Sequence, residues 1–219
     1  MKNNRKSLAI LFLIVATELI GFGLIIPILP LIAAQYSTRP IFIGVLMASY
    51  SLAQFIASPL LGALSDKYGR KPILAISKFG TFISYIIFGL STGYMGLLIA
   101  RLLDGFTGGN ISVARAYVAD IMSEEDRPKG MAVIGIAFGV GFVVGPALGG
   151  FLFGGPTGYL LPAFVAGGLS LLAFCLTVLF LKEPERKIKK MGSAFNIFGN
   201  LKLLDKGFIR FILVTQLLY

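Results

Sequence analysis

Two apolar segments joined by a short basic connection decide the fold of this chain. Residues 42–92 read FIGVLMASYSLAQFIASPLLGALSDKYGRKPILAISKFGTFISYIIFGLST. Their apolar parts, 42–64 and 73–92, are each long enough to cross a bilayer core of about 30 Å, which takes about 20 helical residues. Further segments of the same kind lie at 8–34, 96–119, 130–153 and 160–181. The sequence therefore predicts six membrane-spanning helices with short connections.

The composition of the whole chain agrees with an all-α integral membrane protein. Of its 219 residues, 56% are hydrophobic and 14% are charged, whereas soluble domains carry about 25% charged residues. Histidine is absent, which excludes Ser-His-Asp triads and HExxH zinc sites. The single cysteine, Cys175, stands in the apolar run LLAFCLTVLF, which favours a packed or lipid-facing thiol. We therefore expect a protein that is not an enzyme and that holds no metal or other resident cofactor.

The net charge of +10 lies between the apolar segments, which indicates a lipid bilayer as partner and no nucleic acid. Basic residues fill the N-terminal flank and the even-numbered connections, whereas the odd-numbered connections supply only Arg39. By the positive-inside rule, the N-terminus is predicted to be cytoplasmic. The basic residues on that side are Lys2, Arg5, Lys6, Lys67, Arg70, Lys71, Arg127, Lys129, Lys182, Arg186, Lys187, Lys189, Lys190, Lys202 and Lys206.

Residues 1–181 form the predicted six-span bundle, and the character of the chain then changes. Residues 182–207 are first charged and then amphipathic, which suits either a helix on the membrane surface or a solvated linker. The apolar residues at i, i+3 spacing there are Phe195, Phe198, Leu201 and Leu204. Residues 208–219 begin an apolar run too short to cross a membrane. They are either an interfacial tail or, as we favour, the start of a seventh span in a longer protein.

The first span contains an acidic residue near its middle. Glu18 stands about 10 residues into the span, roughly 15 Å deep at 1.5 Å per residue. An ionisable group at that depth costs several kcal/mol unless it is paired or faces a wet cavity. We interpret Glu18 as a group that binds and releases a proton, the alternative being a static carboxyl hydrogen-bonded between helices. Pro27 and Pro30, preceded by Gly21 and Gly23, should bend or loosen the second half of this span.

The fourth span, RLLDGFTGGNISVAR, places Arg101 and Asp104 on one face at i, i+3. Gly105 and Gly109 continue the stripe of Arg101 and would let a neighbouring helix approach closely. The two charges form either a structural ion pair or a proton or substrate site.

Three other polar side chains lie within spans. Gln54 stands in the middle of span two, where its amide would face a ligand or bond to another helix. Lys78 and Arg115 stand near the predicted cytoplasmic ends of their spans, and we expect their long side chains to extend to the lipid headgroups.

The connection between spans two and three reads GALSDKYGRKP at 62–72 and is predicted to form a turn. Orientation of the spans would explain its basic residues but neither Asp66 nor Gly69, a residue type that permits tight turns. Small residues recur at i+4 spacing in span five, where Pro146 and Gly150 stand beside them and Pro146 could act as a hinge. These small residues are Ala137, Gly141, Gly145 and Gly149.

These motifs resemble the N-terminal half of a major facilitator superfamily transporter, in the twelve-span drug/proton antiporter group. GALSDKYGRKPIL at 62–74 is similar to the family signature between spans two and three. The matching residues are Gly62, Asp66, Gly69 and Arg70. The resemblance implies that this connection latches the cytoplasmic side, together with an acid at the end of span four, which Asp120 matches.

Two further segments carry the same resemblance. GFVVGPALGG at 141–150 is similar to the span-five antiporter signature, in which the glycine face and Pro146 allow the helices to rock. LIARLLDGFTGG resembles the span-four signature through Arg101 and Gly105, whereas Asp104 stands where a neutral residue is more usual. The implied fold is a bundle of two inverted three-helix repeats, which pairs with a second six-helix bundle missing from this chain.

The first two spans look most similar to bacterial tetracycline efflux antiporters, which have an acid at the position of Glu18 and a Gln at that of Gln54. The resemblance implies proton coupling through Glu18, with Asp104 as a second site, and a substrate pathway along Gln54 and Arg101. The expected activity is export of a small amphiphilic drug such as tetracycline in exchange for protons, across a bacterial inner membrane by alternating access. A divalent cation would accompany the drug as its chelate. The alternatives are a sugar or metabolite carrier of the superfamily and a membrane scaffold that transports nothing.

Overall fold

The computed structural model describes residues 2–36, 39–154 and 158–184, and this part of the chain is a bundle of α-helices. In chain order the helices are α1 (Lys2–Ile25), α2 (Leu29–Tyr36), α3 (Pro40–Tyr68), α4 (Arg70–Leu90), α5 (Tyr94–Gly108), α6 (Ile111–Ile121), α7 (Arg127–Leu152) and α8 (Leu160–Phe180). Apart from residues 182–184, the predicted linker and the predicted start of a seventh span lie outside the described residues.

The helices account for the six predicted spans. Within the described residues, five segments are long and apolar enough to cross a membrane as single helices: Lys6–Ile25 of α1 and the whole of α3, α4, α7 and α8. The first predicted span continues from α1 into α2, and the fourth is divided between α5 and α6. The all-helical membrane fold is therefore confirmed.

The first span breaks where its prolines predict. Helix α1 ends at Ile25 and α2 begins at Leu29, because Pro27 and Pro30 have no N–H to donate to the preceding turn. The glycines behave differently from the expectation, since Gly21 and Gly23 lie inside α1 without interrupting it. Because Gly23 has no side chain, it instead lets α7 approach α1 closely.

The connection between the second and third spans is almost entirely helical, which corrects the predicted turn at 62–72. Helix α3 continues to Tyr68 and α4 begins at Arg70, so that the chain reverses at one residue. That residue is Gly69, whose φ of 113° is strained for any residue with a side chain.

Two apolar clusters fill the bundle, one on each side of a polar layer. The first is built from residues of α1, α4, α6 and α7, together with Leu181. The second joins the end of α1 to α2 and to residues of α3, α4, α5 and α8. Four buried charged residues lie at the boundary between the clusters: Glu18, Lys78, Arg101 and Asp104.

Candidate functional site

Glu18 of α1 and Lys78 of α4 form an ion pair in the interior of the bundle. Glu18 is 4% exposed and Lys78 is fully buried. The expectation that Lys78 extends to the headgroups is therefore wrong, because Glu18 provides a counter-charge inside the bundle. Asn110 adds a longer contact, in which its Nδ2 donates to Glu18 Oε2 at 3.5 Å. Arg115, by contrast, is exposed, and its extension to the headgroups stays a prediction.

Arg101 and Asp104 of α5 form a second buried ion pair, with 2.9 Å between Nη1 and Oδ2. The guanidinium also lies over the ring of Tyr50, 4.4 Å from its centroid, and 5.8 Å from that of Phe22. Cation–π attraction holds Arg101 in place because the site is desolvated. Its Nε has no hydrogen-bond partner among the described residues, so one donor remains available in the interior.

The fourth span is interrupted at Gly109 and Asn110, which the sequence analysis did not anticipate. We call these two residues the span-four break. Gln54 of α3 donates through Nε2 to the carbonyl oxygen of Gly108 at 3.1 Å and to Tyr50 Oη at 3.1 Å. Gln54 therefore makes the interhelical bond that was the alternative to a ligand contact. The run Gly-Gly-Asn, rich in turn-forming residues, was the signal in the sequence.

Helix α3 lies unusually close to α5 and to the break, as the glycines predicted. A Cβ on Gly105 would stand 2.9 Å from the carbonyl carbon of Tyr50, and one on Gly109 would stand 2.9 Å from the amide nitrogen of Ser58. Both contacts are with backbone, so any side chain at either position would push the helices apart.

The acidic and basic residues of the resembled latch motif come together at the end of the bundle that carries the N-terminus. Arg70 donates through Nε to Asp120 Oδ2 at 2.8 Å, and its Nη2 lies 2.7 Å from Asp66 Oδ1. Its Nη1 also donates to Ser65 Oγ at 2.6 Å. We call Asp66, Arg70 and Asp120 the Arg70 cluster. Gly62 lies one turn before Asp66 on the same helix, and Gly69 makes the adjacent reversal.

Glu183, just after α8, belongs to the same region and was missed from the sequence. Its Oε1 accepts the backbone N–H of Arg70 at 2.6 Å, and its Oε2 accepts that of Lys71 at 2.8 Å. The first amides of a helix have no partner within the helix and attract a carboxylate. Tyr117 also holds this segment, because its hydroxyl donates to the carbonyl oxygen of Lys182 at 2.6 Å.

The small-residue face of α7 packs against α1. A Cβ on Gly145 would stand 2.8 Å from Gly23 Cα, and Cβ atoms on Gly141 and Gly149 would meet the backbone of Leu19 and Leu24. The predicted close approach is therefore observed, and Pro146 lies in the same contact with Gly23. Gly150 is outside it, with no atom within 4 Å of its Cβ position. The hinge role of Pro146 stays a prediction.

Comparison with known proteins identifies the family. The profile of the Major Facilitator Superfamily matches residues 11–218. The chain belongs to this superfamily. Its members are membrane transporters and not enzymes.

Three relatives in the superfamily illustrate the range of similarity. The tetracycline resistance protein, class H, of Pasteurella multocida is 37% identical over 83% of this chain and 46% of its own length. Multidrug resistance protein 1 of Bacillus subtilis is 33% identical over 85% of this chain and 48% of its own length. The crystal structure of the human organic anion transporter MFSD10 (TETRAN) superposes with a TM-score of 0.77 at 28% identity, over 91% of this chain and 54% of that one. The chain thus spans about half the length of the relatives it matches.

Proposed function

We propose that this chain supplies the first half of a proton-coupled efflux antiporter that exports small amphiphilic drugs such as tetracyclines. The observation that carries this proposal is the ion pair of Glu18 and Lys78, buried between two apolar clusters. Charges at such a depth are costly to bury and in membrane transporters mark ion pathways. The tetracycline and multidrug resistance proteins among the relatives support the same reading.

The pair gives Glu18 two electrically different states. As a carboxylate, Glu18 neutralises Lys78; once it takes up a proton, it leaves the ammonium without a counter-charge. A drug and a proton can then alternate, since each changes the charge that the other meets in the interior. Asp104 is the proposed second proton site, and Gln54 and Arg101 border the substrate pathway.

The proposed orientation places the N-terminus and the Arg70 cluster on the cytoplasmic side of a bacterial inner membrane. There the cluster would close the pathway while the opposite side is open. The close contact of α7 with α1 would let these helices rock together. The second half of the protein would complete the cavity, and a divalent cation would enter only as a chelate with its drug.

Exchange of an organic anion is the second candidate. The human structural relative is an organic anion transporter, and Arg101 keeps its Nε free of hydrogen bonds within the described bundle. An anionic substrate would accept a hydrogen bond from that donor, whereas a cationic drug would compete with Lys78 for Glu18.

The test is drug uptake into everted membrane vesicles that contain the full-length protein. Glu18→Gln should abolish uptake driven by a proton gradient, because the amide cannot bind and release a proton. Drug counterflow, which needs no net proton movement, should persist and show that the variant is folded. Glu125→Gln, which changes an exposed acid between α6 and α7, is the matched control and should transport normally. Proton-driven uptake at the parent rate in Glu18→Gln would refute the proposal, and uptake of organic anions alone would support the second candidate.

A further inference from the structure

The span-four break stands between the buried pair of Glu18 and Lys78 and the Arg70 cluster. Asn110 forms its second residue and also the N-cap position of α6. At the other end of α6, Asp120 accepts the hydrogen bond from Arg70. One helix of 11 residues, about 16 Å long at 1.5 Å per residue, therefore joins the two sites.

We propose that Asn110 is a positioning residue that couples the protonation state of Glu18 to the Arg70 cluster, by moving α6 about the span-four break. The inference rests on the proposed function only for the exchange of a proton at Glu18. It assigns to Asn110 and to the break a role that the family motifs do not include.

The side chain of Asn110 has two alternative partners. Asparagine is among the best N-cap residues, because its side-chain oxygen accepts an amide N–H from the first turn of its own helix. Here Asn110 makes no such cap, and its Nδ2 instead donates to Glu18. A bond to a carboxylate is stronger than one to a neutral carboxyl group. Protonation of Glu18 would therefore weaken this contact and free Asn110 to cap α6.

The position of α6 also responds to the charge of Glu18 directly. The N-terminus of a helix carries a partial positive charge, so a carboxylate near it is attracted. Glu18 lies at this terminus of α6 when it accepts from Asn110. Loss of its charge removes the attraction and weakens the hydrogen bond, so that the ion pair of Asp120 with Arg70 is the charged contact of α6 that remains among the described residues.

The hydrogen bonds at the span-four break come from neutral side chains. Ser112 Oγ bonds to the carbonyl oxygens of Gly109 at 2.8 Å and Ser58 at 3.0 Å. Gln54 bonds to the carbonyl oxygen of Gly108. The bonds to Gly108 and Gly109 give partners to carbonyl groups at the break, and the bond to Ser58 ties α6 to α3. Because the carbonyl groups at the break have side-chain partners, α5 and α6 can change their mutual angle without exposing unpaired backbone to the interior.

The other titratable groups near Glu18 lie on helices α3, α4 and α5. Helix α4 contributes Lys78 and Tyr85, α5 contributes Arg101 and Asp104, and α3 contributes Tyr50; both tyrosines lie within the field of Glu18. Helices α7 and α8 place no acidic or basic side chain beside it, since residues 130–154 and 158–180 contain none. A full pH response that persists in Glu18→Gln would therefore overturn the inference and assign the response to another group, with Asp104 the other acid of the polar layer.

The experiment measures the distance between spin labels on either side of the break in the full-length protein. The labels are placed at Ile99→Cys in α5 and Arg115→Cys in α6, both exposed, after Cys175 and any other cysteine are replaced. Lowering the pH should shift the distance by about 1–2 Å, the scale of helix shifts in switching proteins. Glu18→Gln should hold the low-pH distance at every pH.

Two variants separate coupling from simple damage to the break. Asn110→Ala should remove most of the pH response, because the link to Glu18 is lost. Ser112→Ala removes two hydrogen bonds from the same break but leaves Asn110 intact, and it should keep the response. A parent distance that is independent of pH, or a full response in Asn110→Ala, would overturn the inference. Neither result would depend on drug transport by Glu18→Gln, which tests the proposed function separately.

Discussion

Replacement of Gly145 by alanine tests whether α1 and α7 are held at the distance observed. The added Cβ would stand 2.8 Å from Gly23 Cα and 2.8 Å from the carbonyl oxygen of Ile20, whereas ordinary contacts begin at 3.4 Å. Both neighbours are backbone atoms, so α1 must move by about 0.6 Å, the difference between these distances. Overpacking of this kind costs about 1–3 kcal/mol. In the opposite direction, alanine stabilises a helix by about 0.5–1 kcal/mol relative to glycine. We expect a net destabilisation of about 1 kcal/mol, and at most about 2.5 kcal/mol.

The matched control is Gly150→Ala, the same substitution on the same helix. No atom lies within 4 Å of its Cβ position, so this variant should be as stable as the parent or slightly more stable. Thermal unfolding of the purified protein in detergent would compare the two. A loss of 1 kcal/mol lowers the Tm of a chain of this size by about 2–4 °C. Equal Tm values for the two variants would mean that the close contact between α1 and α7 does not exist.

Two further variants test the charged contacts. Lys78→Met should destabilise the protein by about 3–5 kcal/mol because Glu18 remains buried without a counter-charge. The double variant with Glu18→Gln should recover most of that loss in thermal unfolding, and strictly additive losses would contradict the ion pair. Glu183→Gln should speed hydrogen exchange at the first two amides of α4, since an amide side chain offers one acceptor oxygen where the carboxylate offers two. Glu125→Gln is its control, and unchanged exchange in Glu183→Gln would show that the carboxylate does not hold α4.

The spans and the break at the prolines were predictable because both depend on neighbouring residues. A run of about 20 apolar residues fixes a membrane helix. The closely spaced Pro27 and Pro30 remove two N–H donors from adjacent turns of the first span. The single prolines Pro59 and Pro146, by contrast, lie inside continuous helices.

The break in span four was harder to predict, since the run Gly108, Gly109 and Asn110 is short and apolar residues flank it on both sides. There the interrupted helix is supported by side chains of α3, since Gln54 and Ser58 donate to the carbonyl oxygens of Gly108 and Gly109.

The partners of some charged residues could also be predicted from the sequence, whereas the partners of others could not. Arg101 and Asp104 are three residues apart, so their pairing followed from helical spacing. Lys78 and Glu18 are 60 residues apart, and the position of Lys78 near a helix end suggested a different outcome. The resemblance supplied the members of the Arg70 cluster, but it could not supply Glu183, which lies outside the motif.

The four charged residues of the polar layer are all paired, which under the proposed function changes how a substrate would be recognised. Glu18 neutralises Lys78 and Asp104 neutralises Arg101, so the described bundle presents no unbalanced charge in its interior. In the proposed antiporter, a charged drug or a proton would bind in this layer only by taking the place of an internal partner. Affinity depends on the difference between the two pairings and not on the full Coulomb energy of one of them, which permits both tight binding and release. A buried pair is costly to desolvate, but removal of one partner costs about 3–5 kcal/mol more, so the pairing limits the cost of holding these four charges inside the bundle.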